Sequence, residues 1–368
     1  MLRQYCLSLA GALIRLRRPF SRADRQPLLL SARDSAEGQH AAVGYCLNGR
    51  EVFTTVVNQR CHDVIEHPTY PVALFVGRRP GNESYLIDLR DGSLLQTVYA
   101  PAGRHFYGHA VIHRQGEWLY ATENDTTRPG RGVLGIYRFN GPHLSRQGEI
   151  STHGIGPHEV AWMPDGETLV VANGGIRTEA ESRVEMNLQA MESSLVLMTR
   201  EGSLLSHDTL SQPMNSIRHL AVARDGTILT SQQYMGDSHE IAPLLAIKRP
   251  GQRLQPFAAT VGQLASMHQY TASVAVHDDL RLIALTAPRG NRVFIWDLNN
   301  GQLRLESAMP DCAGVAAVKS GFVVTSGQGR CRLYDARKKS ITAQPLSLPG
   351  AYWDNHLRRP DQTFDRLP

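Results

Sequence analysis

From residue 27 onward the apolar positions fall in short runs rich in Val, Leu, Ile, Tyr and Thr, broken by Gly, Asp and Asn. Runs of that kind, bounded by turn formers and without sustained helical spacing, predict β-strands joined by tight turns. Only residues 179–193 carry a spacing compatible with a helix. Leu28-Leu29-Leu30-Ser31-Ala32-Arg33, Ala41 to Cys46 and Val52 to Val57 are the first three strands.

After them a larger unit repeats: a histidine, a short apolar strand, a Gly turn and a second apolar strand. It stands at His109-Ala110-Val111-Ile112, at His158-Glu159-Val160-Ala161-Trp162 and at His219-Leu220-Ala221-Val222, with a looser copy at His62-Asp63-Val64-Ile65. Ser273 and Gly314 head two more copies. The heads recur every 40 to 60 residues or so, the length of a four-stranded propeller blade with loop insertions. The three opening strands then lack an innermost strand, and residues 351–357, with His356 one blade length after Gly314, supply it. The pattern predicts an all-β fold: a seven-bladed β-propeller of four-stranded blades over 27–358, closed by pairing the C-terminal strand with the N-terminal strands. Residues 1–26 and 359–368 are left as tails.

Alternating strand direction puts the tight turns, such as Asp165-Gly166 and Asp225-Gly226, on one face. The long loops at 174–194 and 234–242 fall on the other, where binding sites usually gather. The innermost strands line the channel, so His62, His109, His158, His219 and His356 would stand at equivalent positions around its mouth, with Ser273 and Gly314 completing the circle. With 15 histidines in 368 residues, chance places fewer than one at seven chosen positions.

Three explanations fit such a ring. One is a transition metal, Fe, Cu or Zn, on neutral imidazoles. Another is an anion held by Arg218 and protonated imidazoles. The third is a packing device in which each histidine bonds a carbonyl of the next blade. Asp63 and Glu159 adjoin ring positions, and Glu123 and Asp125 end a strand on the same face. A ligand-binding rim would take in Asp63, Tyr107, Glu123, Asp125, Glu159, Asn173, Arg218 and Ser273. In an oxidoreductase or lyase using this site, Glu159 or Glu123 would be the general base. Arg78, Arg79, Lys338 and Lys339 read as solvated turn charges, and the tryptophans, Trp353 included, as packing. No phosphate-loop, His-Glu-x-x-His or Gly-x-Ser-x-Gly motif is present.

The net charge of +5 sits mainly in Arg3, Arg15, Arg17 and Arg18. Without them the chain is near neutral, so a nucleic-acid surface is not expected. The short apolar run at the start has the outline of an export leader, and no later segment is apolar enough to span a bilayer. The five cysteines lack Cys-x-x-Cys spacing, which argues against a zinc ribbon or covalent haem and for buried hydrophobes.

Arg104-His105-Phe106-Tyr107-Gly108-His109, Thr122-Glu123-Asn124-Asp125, Gly154 to Glu159, Val171 to Ile176, Ser216 to Leu220 and Trp353-Asp354-Asn355-His356 together resemble the proteobacterial family catalogued as domain of unknown function 1513. The resemblance spans about Leu28 to Leu357. It implies a YVTN- or WD-repeat-like propeller and a periplasmic location, with imelysin-like iron-uptake proteins as partners, although neither a twin-arginine motif nor a lipobox is present. The expectation is a monomeric periplasmic propeller that binds a metal or metal-containing ligand at a histidine-lined mouth. A metal-dependent enzyme and a protein-interaction scaffold are the alternatives.

Overall fold

The computed structural model describes residues 28–141, 143–178, 184–348 and 352–359. The expected tails at 1–26 and beyond 359 lie outside the described residues. Seven four-stranded antiparallel sheets account for 28 strands. Their innermost strands are β4 (Cys61–Glu66), β8 (Arg104–Ile112), β12 (Pro157–Trp162), β16 (Asn215–Val222), β20 (Ser273–His277), β24 (Cys312–Val318) and β28 (Tyr352–Arg358). Each successive pair of these strands is in contact, and β28 touches β4, so the ring is closed.

The last sheet is built from both ends of the chain. β28 pairs antiparallel with β1 (Leu28–Asp34), which continues through β2 (His40–Cys46) to β3 (Glu51–Val56). A propeller closed this way leaves no unpaired inner edge. Trp353 anchors the join: it is 3% exposed and meets Tyr45 edge-on at 5.5 Å, within a cluster that includes Leu29, Val43, Val318, Val323 and Leu357. Other inter-blade cores follow the same plan. Between the blades that begin with β16 and β20, Phe294 stacks on Trp296 at 5.2 Å, against Phe257, Met267 and Leu285.

Blade-to-blade hydrogen bonds from histidine to carbonyl do occur, but at His67, His113 and His153, outside the channel ring. Their Nε2 atoms reach Gly116 O at 2.8 Å, Gly166 O at 3.1 Å and Gly202 O at 2.8 Å. Each ties one blade to a tight Gly turn of the next.

The helix expected over 179–193 is not found within its described part, where only a 3-10 turn forms at Leu188–Ala190. The described α-helix is α1 (Val261–Ser266), where Thr260 and Gln263 form a reciprocal capping box. Among the described residues no helix is long and apolar enough to cross a membrane.

Trp353→Ala removes the wedge at the seam and should cost about 3–5 kcal/mol. Urea unfolding followed by fluorescence should show a lowered midpoint with an unchanged slope.

Candidate functional site: a histidine cluster under an arginine-rimmed mouth

The innermost strands begin irregularly, and the irregularity builds the site. In β4 Cys61 pairs with Gly77 and Asp63 with Val76, leaving His62 as an extra residue. In β12 His158 is left over in the same way, and in β16 Arg218. β-bulges of this kind re-aim side chains at strand ends. Asp63, His109, Glu159, His219, Ser273, Gly314 and His356 therefore share one level of the channel, while His62, His158 and Arg218 stand one residue nearer the mouth. The equivalence expected from sequence holds for His109, His219, Ser273, Gly314 and His356. His62 and His158 are displaced by the bulge, and acids take their places in register.

The two levels interlock. Five imidazoles pack with centroids 4.5–6.3 Å apart, His219 lying 4.5 Å from His356 and 4.6 Å from His158. Gly108 has φ +115°, and a Cβ there would lie 2.4 Å from the His62 ring, so glycine is required for the rings to meet.

In the lower level each imidazole is met at Nδ1 by the side chain of another position of the same level. His109 Nδ1 meets Asp63 Oδ2 at 2.9 Å, and His219 Nδ1 meets Glu159 Oε2 at 3.0 Å. His356 Nδ1 lies 3.0 Å from Ser273 Oγ, whose proton goes to Asn355 O at 3.1 Å, so the hydroxyl accepts from the ring. In the tautomer whose Nδ1–H donates to these oxygens, Nε2 is the atom left with the lone pair. Ring nitrogens of His109, His219 and His356 come within 4.8 Å of one another. The Nε2 atoms of His109 and His356 are buried without a protein partner, as is His158 Nδ1. His62, His109 and His158 make a second convergent group, and Asp63, His109 and Glu159 a third. An imidazole fixed through Nδ1 by a carboxylate, with Nε2 presented inward, is the usual form of a metal-ligating histidine.

The carboxylates are neutralised beneath the rings. Arg358 reaches Asp63 at 2.6 Å and Glu159 at 3.0 Å. Burial opposes ionisation of Asp63, but the Arg358 guanidinium outweighs it and holds the carboxyl well below the usual range. Burial likewise opposes ionisation of Glu159, and His109, His219 and Arg358 overcome it. Above, Asp354 Oδ1 lies 3.3 Å from His62 Nδ1 and 3.0 Å from Arg78, and its Oδ2 accepts from Arg60 at 2.5 Å. Burial, aided by neighbouring positive groups, pushes the imidazolium pKa of His62, His158 and His356 far down; for His219 burial outweighs Glu159 and brings it to about 4. These four rings are neutral near pH 7, the form that ligates metals.

On the long-loop face a recess of about 70 Å³ opens onto the rings, lined by His62, His158, His219 and by Arg78, Arg79, Tyr107, Arg218, Tyr270 and Asn355. On the other side of Arg358 the channel widens to about 660 Å³, with Val64, Val160, Leu220 and Val315 among its lining residues together with Arg114, Glu159 and Asp278.

A family model described as "Protein of unknown function (DUF1513)" matches residues 55–360. The chain belongs to this family. No curated protein matches the sequence of this DUF1513 member. Among solved structures it is similar to Kuenenia stuttgartiensis hydrazine synthase, with a TM-score of 0.60 at 12% identity over 86% of this chain and 95% of that one. It is also similar to the periplasmic gluconolactonase PpgL of Pseudomonas aeruginosa, with a TM-score of 0.60 at 13% identity over 91% and 99%. At such identities the likeness is one of fold alone.

Several rim expectations for the DUF1513 chain land elsewhere. Glu123 points to the outer strands, bonded to Tyr137 Oη at 2.6 Å and Arg146 at 2.9 Å, and Asp125 to Arg104 at 2.7 Å and Arg131 at 3.1 Å. Asn173 is buried and donates to Thr152 O and Ser194 Oγ, both at 3.2 Å. These three residues lie outside the mouth, whereas Tyr107 and Arg218 line it. Arg78 and Arg79 prove to be mouth residues, not solvated turn charges, while Lys338 and Lys339 are exposed. Asp354, Arg358 and Tyr270 were not foreseen. For Arg358 a signal existed, since it stands two residues after His356 and strand alternation aims both the same way.

Two outcomes follow. Arg358→Met leaves two buried carboxylates without their cation and should cost about 3 kcal/mol, read as a lowered urea midpoint. In chelator-treated protein the unfolded chain takes up protons at histidine below about pH 6.5, while His62, His158, His219 and His356 stay neutral in the fold to lower pH. Stability is therefore full above that pH and falls as pH drops towards 4, at about 1.4 kcal/mol per group per pH unit. Unfolding midpoints at pH 7.5, 6, 5 and 4.5 check the sign.

Proposed function

We propose that this protein is a metal-binding propeller that holds one transition-metal ion at the histidine cluster, with His109, His219 and His356 as principal ligands and His62 and His158 completing the shell from above. The observation that carries the reading is the convergence of three imidazoles, each held through Nδ1 by Asp63, Glu159 or Ser273, two of them presenting a buried Nε2 with no protein partner. Imidazole-rich sites suit Zn, Cu, Fe and Ni. The family resemblance, with its implied periplasmic setting beside iron-uptake proteins, makes iron and copper the first ions to test and zinc the third.

Binding is favoured over catalysis by the state of the acids. Glu159 is engaged by His219, Leu220 N and Arg358, and Glu123 faces away from the rings, so neither is placed to take a proton from a bound substrate. A purely structural ring is disfavoured because the blade-to-blade carbonyl device is carried by His67, His113 and His153.

Tag-free protein should carry or take up about one metal ion per chain, measured by mass spectrometry after reconstitution with Fe, Cu and Zn in turn. His109→Ala/His219→Ala should lose it while retaining its β-sheet circular dichroism. Absence of metal in the wild type under all three loadings would overturn the reading.

A further inference from the structure

The mouth above the rings is built for negative charge. Arg218 is placed there by the bulge of β16, and its Nε is held by Ser216 Oγ at 3.1 Å, which turns the side chain into the recess. Among the described residues it makes no ion pair with a carboxylate. The carboxylates facing the cluster are already matched: Asp63 and Glu159 by Arg358, and Asp354 by Arg60 and Arg78. Arg79 stands opposite, bonded to Tyr107 Oη at 3.1 Å and Thr178 Oγ1 at 3.2 Å with its guanidinium over the Tyr107 ring. Among the described residues of the long loop, exposed Glu185 is the acid whose charge reaches Arg218.

Neutral imidazoles contribute nothing to balance a cation. A divalent or trivalent ion among them would add its whole charge to a buried site that already holds the Arg218 guanidinium, and uncompensated buried charge is costly. The recess between Arg218 and the rings, at about 70 Å³, has room for a few water-sized groups. We infer that the metal binds together with a small carboxylate or carbonate anion, which spans from the Arg218 guanidinium to the ion across the recess. Arginine matches such planar oxyanions with two parallel N–H donors, and the anion supplies both a ligand atom and the missing negative charge. Cation and anion then raise each other's affinity by the same factor. The inference rests on the metal-binding reading and adds to it the class of second ligand.

The test is metal affinity of the full chain, by competition with a chromogenic chelator, in bicarbonate-free buffer under argon and again with millimolar bicarbonate or acetate, corrected for complexes of the metal with each anion. Affinity is expected to rise at least tenfold with one of the two probes, and which one raises it distinguishes carbonate from carboxylate. Arg218→Gln should abolish the rise, whereas Arg218→Lys should keep part of it; circular dichroism confirms that both are folded. Metal binding that is equally tight with neither, either or both anions would overturn this inference and leave the metal-binding reading standing. A full rise retained in Arg218→Gln would overturn the assignment of the anion to Arg218. No metal binding under any of these conditions would overturn both readings.

Discussion

Pairing of β28 with β1 is the constraint on which the rest depends. It closes the ring, and in the same seven residues it delivers Trp353 to the seam, Asp354 to His62, His356 to the cluster and Arg358 to the carboxylates beneath. Closure and site assembly are thus one event. The channel cannot acquire its fifth imidazole or its counter-cation until the two ends of the chain, 325 residues apart at the contact of Ser31 with His356, have met. Loop-closure entropy of that kind grows only slowly with length, so the seam is set by side-chain packing and ladder hydrogen bonds more than by the span it joins.

The channel also shows how a repeated framework is made asymmetric. Most of the seven innermost strands lose register near their start, and in β4, β12 and β16 the irregularity admits one extra residue, His62, His158 or Arg218. The bulge puts Asp63, Glu159 or His219 in the register position and lifts the preceding side chain towards the mouth. One row of equivalent positions becomes two rows of different chemistry, with acids and imidazoles alternating below and imidazoles and a guanidinium above.

Much of this was legible in the sequence, and what was not has physical reasons. Strand heads, blade spacing and the closing strand follow from apolar runs and the returning histidine, because period and turn chemistry are local properties. The five histidines of the ring were named from the same count. Their stagger was not, since a bulge depends on which residue of the neighbouring strand an amide finds, and His62-Asp63 reads in sequence just as His109-Ala110 does. Glu123 and Asp125 misled because they sit near a strand end, where side chains alternate between the channel side and the outer strands; both turned outward to Arg146 and Arg104. Arg78 and Arg79 read as turn charges since nothing local reveals that their loop overhangs the channel. The short α1 was missed although Thr260 and Gln263 spell its cap, because six residues carry too little periodicity to see.

The ion pairs of Arg358 with Asp63 and Glu159 stand between the histidine cluster and the wider half of the channel. The pore is therefore a well with a floor, open to the long-loop face. Anything that occupies the rings has a single doorway, so arrival and departure use the same path past the same arginines. A donor and an acceptor of that occupant would have to take turns at one face, because the packed imidazoles and the guanidinium beneath them separate it from the other rim.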